Sequence, residues 1–408
     1  MDLLPIVKSS AGLDVHSKVI VVTLLQELDG GELKETVKEF PTFPESLNKL
    51  SCWLNEEKVE LAVMESTGVY WKGIFEALEE KRVKTYVVNA RRVKQIPGKK
   101  TDVSDSKWLA TLARYGLVKG SFIPSQDLRH LRLVTRYRMK LRGTMASEVN
   151  RIYKVLSDGG IILRLVFSDI QCTSSMAIVD GLIKDEPIDS LITKLHGRSK
   201  KKEGEVRAML AKPISREHRF LLKTIMDHIN YMKSQCDELD KEIFAAMAPY
   251  KKQWEILQTI PGIDKLAAAI IISEIGVDMK QFETSERFCA WAGMSPGNNE
   301  SAGKRKSAGI VKGAPLLRKI LCEVANSAAR TTSQFKGYYN TLQIRRGHKR
   351  SVVAIGHKIL RVIFKLFSGG RAYIDPEVDY EALMVKRNAP RWIQCLSKYG
   401  YLTAALTY

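Results

Sequence analysis

Cysteine is scarce and scattered: Cys52, Cys172, Cys236, Cys289, Cys322 and Cys395 include no Cys-x-x-Cys pair. The spacing supports neither a zinc site nor a disulfide framework, and predicts reduced, mostly buried, small apolar residues. Also missing is any apolar run near the roughly 20 residues that cross a bilayer. The N-terminus shows no basic region followed by an apolar stretch and cleavage site, so the expectation is a cytoplasmic protein. There is no low-complexity segment, no evident repeat and no Walker-type Gly-Lys-Ser/Thr loop that would point to ATP-driven chemistry. Acid is the scarcer charge, with 45 Asp plus Glu against 65 Lys plus Arg, a formal charge of +20 and a pI near 9.6. That balance favours a polyanionic partner, nucleic acid first. At 45% hydrophobic content, 408 residues can bury a sizeable core and fit two or three domains.

Four of the acids stand in informative places. Asp14 lies in Gly12-Leu-Asp-Val-His, Glu65 in Met64-Glu-Ser-Thr-Gly, and Asp102 and Asp105 in Lys100-Thr-Asp-Val-Ser-Asp-Ser-Lys. Alternation and turn signals predict strands over 11–16, 19–26 and 33–40, then a helix over 44–55, a strand over 59–64, a helix over 70–80, a strand over 83–89 and a helix opening near Asp102. A three-strand meander followed by alternating helices and strands is the order of an α/β ribonuclease-H-like fold. Asp14 then sits on a central strand, Glu65 at the end of the fourth, and Asp102 and Asp105 in one helical turn and on one face, where the helix dipole favours them. Singly, each acid reads as a cap or an exposed strand-end residue; together, in this order, they read as a hard-metal site for phosphodiester chemistry, with a pair of Mg²⁺ ions about 3.5–4 Å apart.

From about 126 the pattern is helical. Val134, Leu141, Met145, Ile152 and Val155 recur at near-heptad spacing over 126–157, with Arg129, Arg132, Arg136, Arg138, Lys140 and Arg142 expected to face phosphates. Ile225, Ile229, Met232, Cys236, Leu239 and Ile243 repeat the spacing over 218–246. The two helices suit an antiparallel pair, and an exposed seam suits dimerisation. The stretch between them, 158–215, is less regular and carries Arg198-Ser-Lys-Lys-Lys-Glu, a solvated loop or a nucleic-acid contact.

Leu257-Gln-Thr-Ile-Pro-Gly-Ile-Asp-Lys-Leu-Ala-Ala-Ala reads as a helix-hairpin-helix whose Gly262 turn exposes backbone N–H groups to phosphate, or as a buried hairpin without a ligand. Pro296-Gly-Asn-Asn-Glu-Ser-Ala-Gly-Lys-Arg-Lys is a loop of small residues around Ser301, followed by Lys304, Arg305, Lys306 and Lys312. From these residues alone a phosphate-binding serine is the stronger reading and a nucleophile the other. Apolar helices are expected over 314–330 and 352–367. The basic run between them, Arg345, Arg346, Lys349 and Arg350 around Gly347 and His348, is placed to grip a nucleic-acid backbone.

With these motifs together, the chain resembles a DEDD transposase of insertion-sequence family 110, nearly end to end, most specifically in Lys100-Thr-Asp-Val-Ser-Asp and the Ser301 loop. The resemblance implies a RuvC-like DEDD domain (1–122), a helical coiled-coil spacer and dimerisation region with an irregular insert (123–250), and a mainly α C-terminal transposase domain (251–408). It implies metal binding by Asp14, Glu65, Asp102 and Asp105, and Ser301 as nucleophile. Implied with these are a 5′-phosphoserine and a Holliday-junction-like intermediate, and a composite site pairing one subunit's acids with another's serine. The implied partners are donor and target DNA, a structured noncoding bridge RNA that guides recombination, and further copies of the chain as a dimer or tetramer, in the nucleoid of a bacterium or archaeon. Around the serine this chain reads Glu300-Ser301-Ala302-Gly303 where other members have Ser-Gly-Gly. His16, Lys18, Tyr70 and Trp71 share the acidic motifs, with packing expected for Tyr70 and Trp71. The alternative reading is a metal-dependent Holliday-junction endonuclease that uses the four acids alone; a non-catalytic binder with a degenerate nuclease fold is a third, against which the intact acidic set argues.

Overall fold

The computed structural model describes residues 4–401 apart from 67, 94–95, 97–103, 298, 302–303, 308, 312 and 377–379. The chain divides into two compact units, Met1–Gln126 and Asp127–Tyr408.

The first unit is a mixed α/β layer. Strands β1 (Ser9–Val15), β2 (Val19–Glu27), β3 (Leu33–Pro41), β4 (Leu61–Glu65) and β5 (Thr85–Val88) form one sheet in the order β3-β2-β1-β4-β5. The first three pair antiparallel, whereas β4 and β5 run parallel to β1. Helices α1 (Pro44–Glu56), α2 (Trp71–Glu80), the short α3 (Ala90–Val93) and α4 (Asp105–Arg114) complete the unit. The expected elements are all present, and α3 is an addition.

Strand alternation sends alternate residues to opposite faces. Ala11, Leu13, Ala62, Met64 and Val87 join Leu50, Leu54, Ile74 and Leu78 of α1 and α2 on one face. Leu61, Val63 and Val88 join Leu109, Leu112 and Ala113 of α4 on the other. Trp71 packs edge-on against Phe75, but Tyr70 is half exposed, against the packing role expected of it. A charged pair closes the end of α4, where the buried Arg114 donates to Glu27 at 2.5 Å and to the Lys8 carbonyl at 3.2 Å.

The second unit is helical apart from one hairpin. Helix α5 (Gln126–Asp158) is followed by α6 (Thr173–Ile183), α7 (Ile188–Thr193), α8 (Glu203–Met209) and α9 (Arg216–Ala245). Cross-helix ion pairs link Arg138 with Asp240, Glu148 with His228, and Asp158 with His218. As the number rises along α5 it falls along α9, so the two helices run antiparallel.

The seam differs from expectation. Ile225, Ile229, Met232, Cys236 and Ile243 are buried within the unit, and all but Ile243 share one core with Met145, Ile152 and Leu156 of α5 and with Ile178, Val179 and Val206 of the intervening helices. The stretch 158–215 supplies apolar cover for those residues, while Leu239 is half-buried and Phe220, Leu221 and Tyr231 of α9 are exposed. The first half of α5 buries Leu128, Leu131, Thr135 and Met139 rather than Val134. Its arginines are also used internally. Arg136 makes a bidentate pair with the buried Glu274 at 2.8 and 2.9 Å, Arg132 donates to the Ser273 and Glu274 carbonyls, and Arg138 pairs with Asp240. Burial lowers the Arg132 guanidinium to about 10, whereas its hydrogen bond with Glu274 pushes Arg136 up. These three side chains therefore pair within the unit rather than facing phosphates as expected: Arg132 and Arg136 hold α5 against the end of α11, and Arg138 holds it against α9.

The rest comprises α10 (Lys251–Gln258), α11 (Lys265–Ile275), α12 (Ser285–Trp291), strands β6 (Asn299–Ser301) and β7 (Lys304–Ser307), α13 (Pro315–Ala328), α14 (Gln334–Gly369) and α15 (Tyr380–Lys398). Among the described residues, no helix is long and apolar enough to cross a membrane.

Candidate functional site

Asp14 and Glu65 are brought together by strand register. Leu13 of β1 pairs with Met64 of the parallel β4, so the next residue on each strand, Asp14 and Glu65, stand side by side at the two C-terminal ends. Both lie two residues beyond a position on the α4 face, Gly12 for one and Val63 for the other, and share that face.

Gly12 sets how close α4 comes. A Cβ there would lie 2.0 Å from the Ser106 carbonyl oxygen and 2.3 Å from the Ala110 nitrogen, contacts no side chain can make. Two hydroxyls tie the same interface: Ser10 donates to the Ala110 carbonyl at 3.0 Å, and Thr23 and Ser106 share a hydrogen bond of 2.8 Å. Going up β1 from Ser10 to Gly12, the facing residues of α4 run back from Ala110 to Ser106. Asp14 therefore continues toward the helix start, where Asp105 is the first residue.

That start is later than expected. Ser104 caps α4, its hydroxyl accepting from the Lys107 N–H at 3.3 Å, and the helix opens at Asp105 rather than near Asp102. Asp102, expected to share a helical face with Asp105, lies outside the described residues. Asp105 is exposed and Asp14 half-buried, with His16 Nε2 3.1 Å from the Asp14 Oδ2. Nearby, Lys107 pairs with Glu35 of β3 at 2.6 Å.

Among the described residues, no group of three or more His, Cys, Asp or Glu is gathered closely enough to hold a metal ion. The described donors of the acidic set are carboxylate oxygens on two adjacent strand ends and a helix start, which fits a hard divalent cation.

The Ser301 region is a hairpin rather than an open loop. β6 and β7 pair antiparallel, with Ser301 opposite Lys304 across the turn and Glu300 opposite Arg305. Lys306 continues β7, while Lys312 lies outside the described residues. The ladder extends downward through the Gly297 N–H to Gly309 carbonyl bond of 2.7 Å, the Pro296–Ile310 bridge and the Val311 N–H to Ser295 carbonyl bond of 3.2 Å.

At its base two glycines touch. Gly293 has φ +72°, and a Cβ on Gly313 would lie 2.2 Å from the Gly293 nitrogen. Arg318 of α13 donates to the Val311 carbonyl at 3.1 Å, tying one leg of the hairpin to a helix. Sequence reasoning missed the Gly12 contact, the Thr23–Ser106 tie and Arg318. The small-residue composition of 292–313 was the one available signal for the hairpin.

The remaining candidates fall elsewhere in the second unit. Gly262 lies in the turn between α10 and α11, where a Cβ would meet the α13 backbone at Val324 and Ala328 within 2.7 Å. Packing against α13 thus accounts for the glycine. Asp264 caps α11 by accepting from the Ala267 N–H at 2.7 Å. A groove of about 630 Å³ opens beside the turn, with Arg138, Arg142, Gly262, Asp264, Lys319 and Glu323 in its wall. Arg345, Arg346, Lys349 and Arg350 are all exposed and flank Gly347, where α14 is broken into two helical segments.

Two stretches of the chain match models of one class of protein. Residues 11–159 match a DEDD transposase model and residues 254–340 match the transposase IS116/IS110/IS902 family, so the protein is a transposase, an enzyme of DNA strand transfer that acts on DNA. Together the matches span more than half of the chain, which belongs to the IS110 family of DEDD transposases. It is similar to a probable family 20 transposase of Pseudomonas aeruginosa, 22% identical over 68% of this chain and 75% of that one. A putative transposase of Sinorhizobium fredii is 27% identical over 30% of this chain and 33% of its own length. Among solved structures, Thermus thermophilus RuvC aligns with 29% of this chain and 84% of that one, at 19% identity and a TM-score of 0.19. Divalent-metal dependence goes with the DEDD class.

Proposed function

We propose that this transposase is an RNA-guided recombinase of a bacterial or archaeal insertion sequence. It cuts and rejoins donor and target DNA through a serine-linked intermediate, with its first unit a ribonuclease-H-like, RuvC-like domain. The observation that carries the reading is the register of β1 and β4, which sets Asp14 beside Glu65 on the face where α4 opens at Asp105. Asp102, three residues before that opening in a chain matched to the DEDD class, supplies the fourth carboxylate in this reading.

In this reading Asp14, Glu65, Asp102 and Asp105 hold a pair of Mg²⁺ ions. When bound, Mg²⁺ supplies positive charge to the scissile phosphate. The serine oxygen attacks phosphorus as the bond to the 3′ oxygen breaks, and the serine proton passes by way of solvent to that departing oxygen, leaving a 5′-phosphoserine and a free 3′-hydroxyl. Attack by the 3′-hydroxyl of an exchanged strand then breaks the serine ester and restores Ser301. The bond energy is conserved, so no nucleotide hydrolysis is needed. Lys304, Arg305 and Lys306 follow the serine along the same hairpin and contribute cations at the developing charge. Donor and target are read by pairing with a structured noncoding RNA, while the protein grips backbone through Lys312, the Gly262 turn, Arg345, Arg346, Lys349 and Arg350. Resolution of a Holliday-junction-like intermediate, in a dimer or tetramer associated with the nucleoid, completes the cycle.

The test is a denaturing protein gel with labelled donor and target duplexes, RNA transcribed from the flanking noncoding DNA, and Mg²⁺. Labelled DNA should migrate with the protein, and the band should vanish without RNA or Mg²⁺ and in Ser301→Ala or Asp102→Ala. Free nicked DNA that persists in Ser301→Ala would instead leave a metal-dependent junction nuclease.

A further inference from the structure

Helix α14 is broken once, at Gly347, whose φ of 71° and ψ of 169° are not helical. Around the break the residues 343–350 are all exposed. A helix packed on a protein body buries a residue every third or fourth position, so this run is a projecting corner. The corner is braced. Tyr339 and His348 meet across it, hydroxyl to Nδ1 at 2.8 Å with the rings edge to face, and the hydroxyl of the buried Ser351 donates to the Gly347 carbonyl at 2.8 Å.

Ile344 sits on this corner 76% exposed, next to Arg345 and Arg346, with Lys349 and Arg350 just across the break at Gly347. An isolated exposed isoleucine among four cations does not match an apolar protein groove, since the cations would lose water without gaining partners. It matches a surface that is anionic outside and apolar within, which is a stack of base pairs behind its phosphates.

We infer that the α14 corner is a DNA wedge: the arginines and lysines bind phosphates on either side of one base step, and Ile344 enters that step and unstacks it. The inference rests on the DNA substrate of the family, and not on Ser301 as nucleophile. A locally opened step is what strand exchange requires of duplex ends.

The experiment uses the full chain and a four-way DNA junction carrying 2-aminopurine at each step flanking the crossover in turn. Wild type should raise the fluorescence about 3-fold or more at one step, since unstacking relieves quenching. Ile344→Ala should abolish the rise with affinity held within about 3-fold, because phosphate contacts carry the affinity. Ile344→Leu should retain the rise. Arg346→Gln combined with Arg350→Gln should lower the salt dependence of binding by about 2 in log–log slope.

A rise that survives Ile344→Ala, or no rise at any step in wild type, overturns the wedge. So does a fall in sedimentation mass for Ile344→Ala without a change at the bases, which would make the corner a contact between copies. Loss of the covalent serine adduct in wild type, with the rise intact, would refute the serine mechanism and leave the wedge standing.

Discussion

The two regions that carry the candidate chemistry are held in place by different means. In the first unit, Asp14 and Glu65 end two central strands whose neighbours are buried on both faces, and α4 is seated on them through a glycine and two hydroxyl ties. The position of each carboxylate there is set by the same contacts that stabilise the unit. The Ser301 hairpin is different: two short strands, a ladder of a few bonds and a glycine-on-glycine contact at the base. Its base rests beside the buried Ala292 and Met294. In the proposed mechanism the metal ligands are fixed in advance, while Ser301 must reach a phosphate, form an ester and release it.

The largest effect expected follows from Gly12→Ala. The new methyl would lie 2.0 Å from the Ser106 carbonyl and 2.3 Å from the Ala110 nitrogen, so α4 must move by an ångström or more. Overpacking of that kind costs roughly 1–3 kcal/mol, and displacement of Asp105 relative to Asp14 should slow strand cleavage by about 100-fold. Thermal unfolding and cleavage assays should therefore fall together. Full activity in a destabilised Gly12→Ala protein would break the claim that packing and site position are one and the same in this unit.

Gly313→Ala tests the other half. Its methyl would lie 2.2 Å from the Gly293 nitrogen and 2.6 Å from the Ala292 carbonyl carbon, which forces the legs of the hairpin apart. The backbone it meets lies between the buried Ala292 and Met294, so overpacking should again cost roughly 1–3 kcal/mol, while in the proposed mechanism formation of the covalent adduct should drop by about 10-fold. An unchanged unfolding midpoint would show that the base of the hairpin yields to the methyl, and that the hairpin is less tightly built into its unit than the carboxylates are into theirs.

The legibility of the two regions differs for the same reason. Alternation and turn residues in 9–41 exposed the strands of the first unit, because a half-buried sheet writes its period into the sequence. The pairing of Asp14 with Glu65 then follows from strand ends. The opening of α4 falls later than expected because Asp102 and Ser104 are both good cap residues, and only geometry shows that the Ser104 hydroxyl receives the Lys107 N–H. The long helices α5 and α9 were legible from heptad spacing, but spacing alone does not reveal what covers a seam. Ile229 and Met232 are covered by the chain's own insert rather than by a second copy. The arginines of α5 read as phosphate ligands because charge says nothing of a partner 138 residues away, as Glu274 is from Arg136. A loop of small residues gave little sign that Gly293 and Gly313 cross in space.

The smallest effect expected separates position from packing within the first unit. Thr23→Val keeps the volume near its original value and removes the hydroxyl that meets Ser106 at 2.8 Å, leaving Ser106 with Ser104 at 3.4 Å. Loss of one buried hydrogen bond of this type costs about 1–2 kcal/mol, which chemical denaturation resolves. Gly12 still fixes the distance between α4 and β1, so cleavage should change by less than about 3-fold. If activity instead falls while stability holds, the Thr23–Ser106 bond governs the angle of the first turn of α4, and Asp105 is then positioned by a hydrogen bond rather than by close packing.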